Sequence, residues 1–512
     1  MRIRLIALAL LFVPTTAAAQ LETVVAGEVG RKLDRAVQTT SGGGLWGAVL
    51  VAKEGKVLLA KGYGYADYGS RPNTPASLFE IASVSKQFTG AAILKLVQSG
   101  KLELTTTLGA LFKTVPKDKQ AITVHELLTH TSGISPNVAI SYASPLTREA
   151  AVRRFLRDPL ASPRGKRFAY CNAAYSILAA IIEIKSGVSF EEYSRRELFT
   201  PAGMSDTGFV KDAHLDRKRA TTRLSDHMPG TAVDWAWSWG YRGMGGAVST
   251  LGDLLKWHQA LRGTKVLDAQ HKQLLFAPVK NGYACGWFVQ ATPRGTIRHQ
   301  HSGGVAGYGA NLVRYAKEDV VIAILSNGKS DMFKVTKALE AVVFPPPRVT
   351  LSLDVSPFKL SKWKAALLGL GASWQVKRAG NEVRLILIHT AKKRAVATIT
   401  LPVGGAAALR RSLSATLKRK RPGKKGTPAQ TESGLYLNGY RLRAGKLALE
   451  AGLTLRIMPR YVGTGAGGKR IVDERPTLVL TDTTSGQWPV MTHLNLPAAR
   501  ALLRDLDRVI TK

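Results

Sequence analysis

Ile81-Ala82-Ser83-Val84-Ser85-Lys86, running on into Gln87 to Gln98, is the stretch on which the reading of this chain turns. Apolar residues at Ala91, Ala92, Leu94 and Val97, with a stop at Gly100, predict a helix from Ser83 to Gln98. Ser83 and Lys86 then share one helical face, so the amine is able to approach the hydroxyl. The helix N-terminus adds free N–H groups and positive potential that favour a developing anion. A serine alcohol is a weak nucleophile until a base takes its proton, and a lysine serves once burial or nearby positive charge disfavours its charged form. The S-x-x-K spacing alone recurs by chance and assigns nothing.

Working outward, Leu45 to Ala52 and Val57 to Ala60 read as a hairpin about the turn Lys53-Glu54-Gly55-Lys56. Helical patterns follow at Val124 to Leu128, Ala173 to Lys185 and Leu251 to Leu261, and strands return at Ala284 to Gln290 and Val320 to Leu325. Strands at both ends with helices between them predict an α+β unit whose sheet is built from both of its termini.

Several further passages stand in order with Phe79 to Gln87: Ile122 to Ile134 (ITVHELLTHTSGI), Phe168-Ala-Tyr-Cys-Asn-Ala-Ala-Tyr175, Pro201 to Thr207, Gly245 to Thr250 and His301-Ser302-Gly303-Gly304. From about Val49 to Asn327 the chain resembles the serine β-lactamase and penicillin-binding protein superfamily. The likeness is to the branch with class C β-lactamases, D-alanyl-D-alanine carboxypeptidases, D-aminopeptidases and esterases. That resemblance implies a β-lactamase/DD-peptidase-like domain, an antiparallel sheet flanked by helices with a helical subdomain. It implies Ser83 as nucleophile, Lys86 as its proton-transfer partner and Tyr170 as general base and then general acid. It implies Asn172 on the substrate's amide carbonyl and helping to fix Lys86. His301, Ser302 and Gly303 would form the strand edging the site, and the Gly304 N–H would join that of Ser83 as an oxyanion hole. His301 replaces the usual lysine, which leans the reading towards a peptidase or esterase and makes carboxylate recognition there pH-dependent if the imidazole does that work. The cycle needs no metal and no cofactor.

Met1-Arg2-Ile3-Arg4, the apolar run Leu5 to Val13 and the small residues up to Ala19 read as a secretory signal peptide of residues 1–19, too short in its apolar part to span a bilayer. The mature chain is expected to be periplasmic or secreted, with no transmembrane segment. Residues 20–343 form the catalytic domain, residues 344–350 (Phe344-Pro-Pro-Pro-Arg348 at its start) a linker, and residues 351–512 a smaller, basic, mainly β domain. In it Val383 to Ile388, Val396 to Leu401, Gly434 to Asn438, Leu447 to Glu450 and Thr477 to Leu480 read as strands, and Pro497 to Ile510 as a closing helix.

The net charge of +38 is uneven: from Ala341 onward about 30 Lys and Arg stand against about 9 Asp and Glu. Such a field suits an anionic envelope polymer, while export makes nucleic acid an unexpected partner. Cys171 and Cys285 make no disulfide framework. His125 and His130 in HELLTH are five apart, off the shared face a zinc helix needs, and Gly463 to Arg470 carries Arg470 where a P-loop has Ser or Thr. Two function classes remain. One is a serine hydrolase of peptide, small-molecule amide or ester substrates, with weak β-lactam turnover included. The other is a non-catalytic binder of peptidoglycan or anionic polymer, whose binding would survive Ser83→Ala.

Overall fold

The computed structural model describes residues 20–345 apart from 42–43, 139, 223–229, 235–236, 293, 306 and 329. Beyond them it describes the strands of residues 350–493 given below, residues 406–407 and a short helix, residues 502–508. The signal-peptide reading, the cation-rich run Lys418 to Gly426 and most of the linker lie outside the described residues. Two compact units emerge, one of residues up to Val343 (without 293–295) and one of residues from Phe344 (with 293–295).

The first unit is organised by a seven-stranded antiparallel sheet. Its strands are β1 (Val24–Val25), β2 (Gly47–Lys53) and β3 (Lys56–Tyr63) from the start of the unit. β7 (Phe288–Ala291), β8 (Ile297–Val305), β9 (Tyr308–Tyr315) and β10 (Val320–Ser326) come from its end, and the order is β1-β3-β2-β10-β9-β8-β7. β2 pairs with β10 from Gly47↔Ser326 to Lys53↔Val320, joining the two halves at the centre of the sheet. Both strands are nearly unbroken apolar runs, GAVLVAK and VVIAILS, and both are buried on both faces, as central strands covered by helices must be. One face carries α1 (Gly27–Thr40) and the helix Met332–Val343, which pack on each other.

The other face carries helix Leu251–Ala260, which packs on β2 and β10; α2 (Lys86–Gln98), buried on nearly every side, packs into the helical part. Helix Asn172–Ser186 (NAAYSILAAIIEIKS) is likewise apolar almost all round and packs on α2, the pattern of a helix with no solvent face. Phe88 locks α2 to Trp257 and to Phe199, each at 5.0 Å between ring centroids. Helix Val124–Leu128 starts with a capping box: the Glu126 N–H donates to Thr123 Oγ1, and the Thr123 N–H donates to the Glu126 carboxylate. A small sheet of β4 (Phe79–Glu80), β5 (Gly208–Phe209) and β6 (Ala247–Ser249), in the order β4-β6-β5, leads directly into the Ser83 turn.

The second unit is mainly β. One antiparallel sheet has the order Ala372–Ala379, Glu382–His389, Arg394–Pro402, Thr350–Asp354, Lys446–Leu449. Another has Ala366–Gly369, Gly434–Leu437, Val490–His493, Thr477–Asp482, Leu453–Met458. Tyr461–Thr464 pairs antiparallel with Arg470–Asp473, so the P-loop-like stretch joins two strands of a hairpin where a phosphate loop joins a strand to a helix.

Candidate active site

Ser83 lies on a 3-10 turn, Ala82–Ser85, and the α-helix proper begins at Lys86 rather than at Ser83. Tertiary ties override local helix propensity here. The Ile81 N–H donates to Ala247 O at 2.9 Å, the Ala247 N–H donates to Ser85 Oγ at 3.1 Å, and Ser85 Oγ donates to Ala82 O at 2.6 Å. Ala82 takes the left-handed region at φ +47, a strained state for a residue with a Cβ. The first N–H groups of such a turn have no partner within it, and that of Ser83 is one of them.

Lys86 is wholly buried, and its Nζ lies 3.0 Å from Ser83 Oγ and 2.7 Å from Met244 O. The ring of Tyr170 stands 5.0 Å from Nζ and that of Tyr175 5.6 Å. Burial holds the ammonium down to about 7, with Cys171 and Glu80 pulling weakly the other way. Tyr170 is partly buried and its phenol faces the Ser83 hydroxyl. Burial pushes that phenol well above its ordinary value, and the contact with Ser83 pulls only part of the way back. The group ready to accept a proton near neutral pH is therefore Lys86, while Tyr170 stays a neutral donor.

Asn172 opens helix Asn172–Ser186, and its Oδ1 is buried with no hydrogen-bond partner among the described residues. The second hold on Lys86 is the Met244 carbonyl, in the place expected of Asn172. The 170–172 segment is fixed from behind by His130, whose Nδ1 accepts the Cys171 N–H at 3.1 Å. The His130 ring lies 4.3 Å from that of Tyr170 and 4.6 Å from that of Tyr283. Cys171 and Cys285 are separate buried thiols.

β8 brings His301 to Gly304 alongside. Its pairing with β7 stops at Gln300↔Phe288, so the next residues run past the end of that strand. A Cβ on Gly303 would stand 2.4 Å from Ile81 O and 2.8 Å from Ser83 N, so only glycine lets the strand lie this close to the turn. Gly304 has open space on its Cβ side, and Ser302 is half-buried.

His301 departs from the expected pH-dependent carboxylate site. It is 2% exposed, its Nδ1 lies 2.7 Å from Ser302 O and its Nε2 3.2 Å from the Tyr283 hydroxyl. Both ring nitrogens are engaged. Burial pushes its pKa down to about 3, and the Lys86 charge pushes the same way, so the imidazole is neutral throughout the working range.

Glu80, Met244, His130 and Tyr283 escaped the sequence reading. Glu80 had a signal, an acid in the apolar run before Ser83. Met244 acts through its backbone and had none.

The Beta-lactamase family model matches residues 33–343, well over half of the chain. The chain belongs to the Beta-lactamase family. It is a serine hydrolase of the β-lactamase and penicillin-binding protein superfamily, with an α+β family domain followed by a mainly β unit. Penicillin-binding protein 4* of Bacillus subtilis (strain 168) is 30% identical over 335 residues, covering 59% of this chain and 73% of that protein. A solved penicillin-binding protein from Bacillus halodurans shares the fold at a TM-score of 0.53 and 26% identity, covering 62% of this chain and 99% of that one. D-amino acid amidase from Ochrobactrum anthropi SV3, with L-phenylalanine amide bound, shares it at 0.52 and 22% identity, covering 61% of this chain and 97% of that one. Among the described residues no single helix is long and apolar enough to cross a membrane.

Proposed function

We propose that this family member is an exported acyl-enzyme hydrolase, with Ser83 as nucleophile, acting on amide or ester bonds of envelope peptides or small esters. The observation that carries the reading is the buried Lys86 amine, 3.0 Å from Ser83 Oγ and held near a pKa of 7. In its neutral form the amine donates to Met244 O and turns its lone pair to the Ser83 hydroxyl. It takes the hydroxyl proton as Oγ bonds to the substrate carbonyl carbon. The carbonyl oxygen becomes an oxyanion beside the N–H groups of Ser83 and Gly304. The Tyr170 phenol gives its proton to the leaving amine or alcohol as the carbonyl–leaving-group bond breaks, and is reprotonated from the Lys86 ammonium. Water then repeats the cycle on the ester, with its proton passing through the same pair. Asn172, at the start of helix Asn172–Ser186, would donate through its Nδ2 to the substrate's amide carbonyl.

A peptidase or esterase preference is supported by the neutral His301, which supplies no cation for a β-lactam carboxylate. The fold shared with D-amino acid amidase makes amides of D-amino acids the first substrates to test. The start of the chain supports export, and the excess of cations after Ala341 supports binding of an anionic envelope polymer by the second unit. The deciding test is a panel of p-nitrophenyl esters, nitrocefin and D-alanyl peptides, with fluorophosphonate labelling, on wild type and Ser83→Ala. Labelling and turnover lost in Ser83→Ala are expected; no turnover on any member and no label on Ser83 would refute the reading.

A further inference from the structure

We propose that Glu80 is a positioning residue for this reaction: one carboxylate oxygen joins the Ser83 turn to the loop that grips Lys86, and brings an acidic group to bear on that lysine. This rests on the reading of Ser83 and Lys86 given above. Glu80 is completely buried. Its Oε1 accepts the Ala82 N–H at 3.0 Å, the Gly246 N–H at 3.0 Å and the Tyr241 hydroxyl at 2.6 Å. The first bond holds the residue next to the nucleophile in its left-handed state at φ +47. The other two hold the segment 241–246, whose Met244 carbonyl binds Lys86 Nζ at 2.7 Å. Both ends of the Ser83–Lys86 pair are thus referred to a single oxygen atom. A buried carboxylate survives only when charge-assisted bonds replace its hydration, and these three are spent on the two backbone segments that frame the nucleophile.

The charge has a second consequence. From its own helix and turn Lys86 faces Ser83, and from the segment at the start of helix Asn172–Ser186 it faces Tyr170, Cys171 and Tyr175. From the loop after Leu128 and from β8 come His130 and His301, both driven neutral by burial. Cys171 is a thiol whose pKa burial raises. Glu80 is the remaining acid among these groups. It opposes the burial that lowers the Lys86 pKa, and its charge is also felt at Tyr142 and Tyr241.

The test is Glu80→Gln, which keeps the shape and the accepting oxygen and removes the charge, alongside Glu80→Ala. The acidic limb of kcat/KM is read for a p-nitrophenyl ester from pH 5 to 9. The intact chain labelled with [13Cε]lysine is titrated in parallel, taking the resonance lost in Lys86→Met as that of Lys86. Both the limb and the resonance should move to lower pH by about 0.5–1 unit in Glu80→Gln. Plateau kcat should fall less than about 10-fold in Glu80→Gln and about 100-fold in Glu80→Ala, since only alanine frees the Ala82 and Gly246 N–H groups. A Lys86 resonance that does not move, or moves to higher pH, in folded Glu80→Gln would overturn the proposal. Should wild type show no turnover dependent on Ser83, the functional reading fails by itself, and the lysine titration still decides the role of Glu80.

Discussion

Gly303→Ala tests whether close approach of β8 to the Ser83 turn builds the site. The added Cβ would stand 2.4 Å from Ile81 O, 2.8 Å from Ser83 N and 2.9 Å from the Ala82 Cβ. Non-bonded carbon contacts are comfortable at about 3.5 Å, so strand and turn must part by about 1 Å. None of the three atoms is the end of a flexible side chain, so the backbone itself has to give. Overpacking of this kind costs about 1–3 kcal/mol of stability, and a displacement of about 1 Å at the reacting atoms costs on the order of 100-fold in rate. The assay is kcat/KM on the best ester of the panel, with the Ser83 labelling rate and a thermal melt on the same samples. A fall of about 100-fold in kcat/KM is expected, with the melting midpoint lowered by several degrees. Gly304→Ala is the control for stability, because nothing lies within 4 Å of its Cβ position, and its midpoint should stay within about 2 °C. A Gly303→Ala enzyme with wild-type melting and kcat/KM within twofold of wild type would refute the packing argument.

Tyr170→Phe removes the donor to the leaving group while keeping the ring against His130; kcat on amides should drop about 10²–10⁴-fold, and stopped-flow acylation at the wild-type rate would count against the proton route. Lys86→Met should abolish turnover yet stabilise the fold by about 1–3 kcal/mol at pH 7. The sign follows from a folded-state pKa of about 7 against an ordinary 10.5: the unfolded chain holds the extra proton between these values, so the wild type loses stability as pH falls from 10.5 to 7. Urea unfolding should therefore show the gap between variant and wild type widest at pH 7 and below and closed above about pH 10.5. For His301, neutral down to about pH 3, the ratio of kcat/KM for carboxylate-bearing and neutral D-amino-acid amides should stay constant from pH 5 to 8; a ratio that rises as pH falls would restore a cationic role to the imidazole.

The sheet was legible because its central strands carry their own signal. The runs at β2 and β10 are apolar on both faces, and the structure places their ends within two residues of where the pattern ends. The start of α2 was not legible, since the three residues before Lys86 are pulled into a 3-10 turn by Ala247, more than 160 positions along the chain in Gly245 to Thr250. A propensity window has no access to that contact. Among the residues singled out beforehand, the structure brings Ser83, Lys86 and Tyr170 within contact of one another and sets Gly303 against the Ser83 backbone. It shows no hydrogen bond between Asn172 and Lys86, whose second acceptor is the Met244 carbonyl, and a backbone carbonyl has no residue type to read.

His301 shows why the electrostatics of a site escape a motif even when its members are named correctly. In sequence it is an imidazole standing where the family resemblance leads one to expect lysine. In the fold it is sealed between Tyr283 and the Ser302 carbonyl, and the same burial that makes it neutral also lowers Lys86. The two effects are coupled, since each positive charge penalises the other, and so the pocket holds its one proton on Lys86. A second permanent cation at position 301 would drive Lys86 below about 7 and weaken it as a base. Within this pocket a neutral residue at position 301 of β8 keeps the base near the pH at which an acyl-transfer catalyst is most effective. A histidine at position 301 thus acts on Lys86 as much as on any substrate carboxylate.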